Sequence, residues 1–135
     1  MKRSMFMLVV AILAFVFGAM MFFIPSSAAP SLGLEFTPYT SSLLRGMGGL
    51  IIGSGATNFL TRNNHDAATS KAVLLTNIVT HAFGLSADVW GILDGALTVA
   101  KMVPVEITHL FSGIGSLICL VRLRGGKLAG LSQIS

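Results

Sequence analysis

The sequence predicts an all-α integral membrane protein, a four-transmembrane-helix bundle forming a single membrane domain over 1–135. Four long apolar stretches, roughly 4–24, 41–60, 72–93 and 103–121, occupy most of the chain and hold almost no charge. A helix rising about 1.5 Å per residue needs about 20 apolar residues to cross ~30 Å of hydrocarbon, a length that each stretch meets or approaches. None shows the strict alternation of a barrel strand, and only helices and closed barrels satisfy their backbone groups in lipid. Hydrophobic residues make up 53% of the chain and charged residues 10%. A water-soluble domain carries about 25% charge, and this chain has too little to cover a wet surface.

The first segment begins at Lys2 and Arg3 and ends before Ser26-Ser27-Ala28-Ala29, which resembles a small-residue cleavage site. Its apolar run, about 20 residues, exceeds the 7–15 of a signal core, so it reads as an uncleaved helix. Pro25, Pro30, Gly33 and Pro38 then predict a first loop over 25–40 that continues neither flanking helix. Residues 32–36 are apolar enough to dip into the interface as a half-turn.

The second segment carries Ser42, Gly46, Gly49, Gly53 and Ala56 at spacings of 4, 3, 4 and 3, hence on one face. Lipid supplies no hydrophobic drive between helices, so such stripes predict close backbone packing, with Gly46, Gly49 and Gly53 at its centre. The second loop, 61–70, is the most polar part of the chain, and His65 there reads as solvated. The third segment has a matching stripe of Asn77, His81, Gly84, Asp88 and Gly91. Facing it to lipid is costly, so it must point inward, and Asn77 and His81 stand one turn apart, within reach of a hydrogen bond. A short third loop, 94–102, is bounded by Pro104, a good first residue for a helix. The tail from Arg122, with Gly125, Gly126 and Gly130, reads as extended, its Arg122, Arg124 and Lys127 near anionic headgroups.

Basic residues sort by side. Lys2, Arg3, Arg62, Lys71, Arg122, Arg124 and Lys127 fall at the termini and second loop, against Arg45 and Lys101 at the other side. The asymmetry predicts both termini in the cytoplasm, with Tyr39 and Trp90 at the outer interface. Because these charges are scattered over segment ends, the net charge of +4 reads as topology, with no nucleic acid as partner. The single Cys119 excludes an intrachain disulfide.

Depth groups the remaining ionisable residues. Arg45, Asp88, Glu106 and His109 all fall within ~10 Å of the outer surface at helical rise. Unpaired charges there are expensive, so Arg45 is expected to pair with Asp88 or Glu106, with His109, His81 and Asn77 extending the network. Glu106 and His109 have the Glu-x-x-His spacing of di-iron bundles, but the chain's five acidic residues are too few and scattered for that ligand set. A bis-histidine haem site from His81 and His109 would need both rings in one cavity. The sequence therefore predicts no metal, no cofactor and no catalytic centre.

The run Pro25…Leu32-Gly33-Leu34…Leu44-Arg45-Gly46-Met47-Gly48-Gly49…Gly53 resembles the first loop and second helix of small bacterial DoxX-like membrane proteins. Thr108-His109 resembles the polar turn that often opens their fourth helix. The resemblance implies a four-span fold in the bacterial inner membrane and little about chemistry, since the family's role is mostly unassigned. With tiny loops and small-residue faces, the expected function is a non-enzymatic accessory or scaffolding subunit. Its expected partners are the lipid bilayer and other membrane protein subunits, with self-association as a further option. The alternatives are a binder or carrier of an apolar molecule such as a quinone or lipid, using Arg45, Asp88 and His109, or an oligomeric transporter.

Overall fold

The computed structural model describes residues 1–131, with side chains through Leu123. Five helices follow in order: α1 (Arg3–Phe23), α2 (Pro25–Ser31), α3 (Pro38–Thr61), α4 (Ala67–Leu93) and α5 (Val99–Leu131). The chain is all-helical over the described residues. Three helical stretches are long and apolar enough to cross a membrane, Arg3–Phe23, Ala67–Leu93 and Val99–Leu123. With 24 residues α3 has the length, but Arg45, Asn58 and its many glycines, serines and threonines dilute its apolar run.

Five boundaries differ from expectation, three of them at a proline. The expected first loop contains α2, because Pro25 occupies a first-turn position whose N–H needs no partner. Pro38 likewise starts α3 rather than preceding it. Thr37 caps that helix in a reciprocal box with Thr40, accepting from its backbone N–H at 3.1 Å while Thr40 Oγ1 accepts from the Thr37 N–H at 2.7 Å. Pro104 lies inside α5, which opens at Val99, so the third loop is shorter than expected. At its far end α5 continues as helix to Leu131 in place of an extended tail; residues 132–135 lie outside the described part. The start of α4 at Ala67 comes from Asp66, whose carboxylate accepts from Ala68 and Thr69 N–H at 3.3 and 2.7 Å.

Packing divides the molecule into two antiparallel pairs, α1 with α3 and α4 with α5. The first pair closes on glycine. A Cβ at Gly48 would lie 2.6 Å from the Gly18 carbonyl oxygen and 2.7 Å from the Phe22 nitrogen. One at Gly55 would stand 3.1 Å from Ala14 Cβ. The pairs join mainly through Phe6, Met7 and Val10 of α1, which pack with Val73, Leu74, Cys119 and Leu120 of α4 and α5. Near the same end Arg3 donates to Ser70 Oγ and the Asn64 carbonyl. At the opposite end α2 sits over α1 and α3 through Ala28 and Ala29, and Lys101 Nζ donates to the Pro30 carbonyl at 3.0 Å.

Candidate functional site: an ionisable seam between α4 and α5

The seam follows from two periodicities. On α4, His81, Gly84, Asp88 and Gly91 recur every three or four residues and share one face. On α5, Glu106, His109, Ser112 and Ser116 do the same. Antiparallel packing then meshes the two rows. Gly84 creates the space: a Cβ there would fall 2.9 Å from both nitrogens of the His109 ring.

The rings of His81 and His109 meet Nδ1 to Nδ1 at 2.9 Å, with centroids 5.2 Å apart. One Nδ1 must carry hydrogen and the other accept it. His109 Nε2 then faces Asp88 Oδ2 at 3.4 Å, and the Asp88 and Glu106 carboxyls are neighbours. Both Glu106 oxygens are shielded from solvent and meet no donor at good geometry. The four residues form one line, His81–His109–Asp88–Glu106.

Of the expected site residues, these four converge and two others do not. Asn77 turns away from His81 and pairs with Asn58 of α3 through reciprocal amide bonds of 3.1 and 2.8 Å. Arg45 is exposed and makes no hydrogen bond or ion pair among the described residues. The expected Arg45–Asp88/Glu106 network is absent because α3 packs chiefly on α1, away from the seam.

The glycine stripe is also corrected. A Cβ at Gly46 or Gly53 meets nothing within 4 Å, and one at Gly49 only the Phe22 ring at 3.9 Å. The face that packs within the chain holds Gly48 and Gly55. Sequence reasoning missed these two, Asn58 (1% exposed), Ser112 and Ser116. Gly18, the only glycine of α1, was the available signal for which face of α3 has a backbone against it.

The 2.9 Å separation of the two Nδ1 atoms is that of an ordinary ring-to-ring hydrogen bond. Among the described residues, no three His, Cys, Asp or Glu side chains are placed so that they could hold one metal ion. What the seam supplies is a set of proton donors and acceptors in direct contact.

No curated protein and no solved structure matches the chain. A family match covers residues 8–126, a stretch that includes the whole ionisable seam and both glycine faces of α3. By that match the chain belongs to the family described as "Domain of unknown function (DUF8292)".

Proposed function

We propose that the chain is a four-span, DoxX-like membrane protein of accessory, non-enzymatic role, packing through α3 against another membrane subunit. In this reading α3 crosses the bilayer with the three more apolar helices, in the bacterial inner membrane with both termini cytoplasmic.

The observation that supports it is the bare face of α3. Gly46 and Gly53 have open space where a side chain would stand, while Leu43, Met47 and Leu50 around them are exposed. A helix that faced lipid alone would gain nothing from so many small residues, whereas one that receives a second helix needs them. Orientation draws support from Arg3, Asn64, Ser70 and Arg122 lying at one end of the bundle, and Tyr39 and Trp90, both exposed, at the other.

Photo-crosslinkers placed at Gly53 and, as control, at Phe83 of α4 test the reading in native membranes. A stoichiometric protein adduct from Gly53, lost in Gly49→Leu and absent from Phe83, supports it. Adducts to lipid alone from both positions would remove it, and an adduct to a second copy of the chain would replace the foreign subunit by self-association.

A second reading has its own observation. Phe6, Ile107, Leu110, Phe111, Ile114, Gly115 and Ile118 line an apolar groove between α1 and α5 that ends at Arg122. That combination suits an anionic lipid carried or bound along α5. Native mass spectrometry after mild extraction separates the two: a retained lipid lost in Arg122→Gln favours the groove.

A further inference from the structure

The bundle places four ionisable side chains in one contact line, and their order has a direction. With hydrogen on His81 Nδ1, His109 Nδ1 accepts it at 2.9 Å, which leaves the His109 hydrogen on Nε2, facing Asp88 Oδ2 at 3.4 Å. Beyond Asp88 stands Glu106, whose two buried oxygens lack a donor. A protonated Asp88 would supply that donor.

We propose that this seam is a proton-transfer site, which takes a proton at His81 and passes it through His109 to the Asp88–Glu106 carboxyl pair. A proton arriving on His81 Nε2 forms a new N–H bond there. The Nδ1–H bond of His81 breaks as its proton crosses to His109 Nδ1, and the Nε2–H bond of His109 breaks as that proton passes to Asp88 Oδ2. One proton enters, one becomes the acid hydrogen of Asp88, and each ring ends in its opposite tautomer. Asp88 then donates to Glu106, so the added proton rests between two carboxyls that would otherwise repel each other. Among the described residues, the one ion pair that any of the four makes is His109 with Asp88. From α1 and α3 no titratable side chain reaches them, Arg45 makes no ion pair, and Lys101 is engaged by the Pro30 carbonyl.

Past His81 the polar row continues as Ser112, the Asn58–Asn77 pair and Ser116, whose buried hydroxyl has no partner. It then meets the apolar cluster of Phe6, Leu74 and Leu120. Intramembrane ionisable groups are rare and by default mark an ion or proton site.

The chain has three histidines, which makes ring-nitrogen spectroscopy decisive. The full protein, labelled with nitrogen-15 in histidine and asparagine and placed in phosphatidylcholine nanodiscs, should show scalar coupling between His81 and His109 across the N–H···N bond. On stepwise acidification both rings should change tautomer together as a carboxylic-acid infrared band grows. Asp88→Asn should abolish the joint change and the band and leave the signal of His65, in the second loop, unmoved. If that variant fails to accumulate, Glu106→Gln carries the same test, and preserved Asn58 and Asn77 amide signals certify the fold of either. Absence of coupling, rings that respond independently, or a joint response unchanged in both variants would overturn the proposal.

Discussion

The α1–α3 and α4–α5 pairs solve the same packing problem by opposite means. Between α1 and α3 nothing ionises: Gly18, Gly48 and Gly55 let two backbones approach until a methyl group would clash. Between α4 and α5 the helices are linked by His81, His109, Asp88 and Glu106, and Gly84 serves a side chain by leaving room for the His109 ring. A seam closed by shape alone has one stable arrangement. A seam closed by titratable groups changes its bonds whenever a proton is added, and that is where chemistry can be coupled to structure. The Asn58–Asn77 pair ties the two halves together, so change in one is felt by the other.

The sharpest way to break the contrast is Gly48→Leu. Its Cβ would stand 2.6 Å from the Gly18 carbonyl, a backbone atom that cannot turn aside. The loss should exceed the ~1–3 kcal/mol of ordinary overpacking and show as failure to accumulate in the membrane. Equal yield to the native chain would mean that α1 and α3 do not meet through glycine.

Asn58→Leu comes next. It leaves the buried Asn77 amide unpaired at a cost of about 1–3 kcal/mol, read as loss of resistance to denaturing detergent. Adding Asn77→Leu removes the orphaned group and should recover most of that loss. An additive double variant would deny that the two amides act as a pair.

A subtler change is Gly84→Ala, which sets a methyl group 2.9 Å from both His109 nitrogens. The ring can rotate away, so stability should fall by only the ~0.5–1.5 kcal/mol of a strained rotamer. The His81–His109 nitrogen coupling should vanish all the same. That split, small in stability and complete in the site, is what the α1–α3 seam cannot show.

The smallest effects are expected on the bare face of α3. Gly53→Leu and Arg45→Leu should leave the stability of the isolated chain within about 0.5 kcal/mol, because neither position touches another helix of the chain. A large loss from Arg45→Leu in purified protein would restore the ion network that the sequence suggested.

Periodicity made much of this legible. The stripe of His81, Gly84 and Asp88 turns inward as its spacing predicts, and Glu106 and His109 come to the same level because helical rise places them there. What one helix cannot reveal is which partner it receives. Gly46, Gly49 and Gly53 on one face of α3 and Gly48 and Gly55 on another are equally good packing stripes by spacing. Only the position of Gly18 on a different helix decides between them. Depth alone likewise put Arg45 beside Asp88, although two residues at one level can sit on opposite sides of a bundle. Proline was misread for a local reason: Pro25 and Pro38 each fill a first-turn position, where the missing N–H costs nothing.

An accessibility scan of α5 in nanodiscs probes the arrangement of the whole bundle most directly. Single nitroxide labels from Val103 to Val121 would be read for collision with oxygen, which concentrates in lipid, and with a water-soluble nickel complex. Oxygen contact should peak at Ile107, Leu110, Ile114, Leu117, Ile118 and Val121, which are exposed on the bundle surface. It should dip at Ser112, Ser116 and Cys119, which are buried, and the nickel complex should stay excluded throughout the helix centre. Nickel contact along the whole of α5, or oxygen maxima at Ser112 and Ser116, would contradict a membrane bundle whose ionisable seam faces inward.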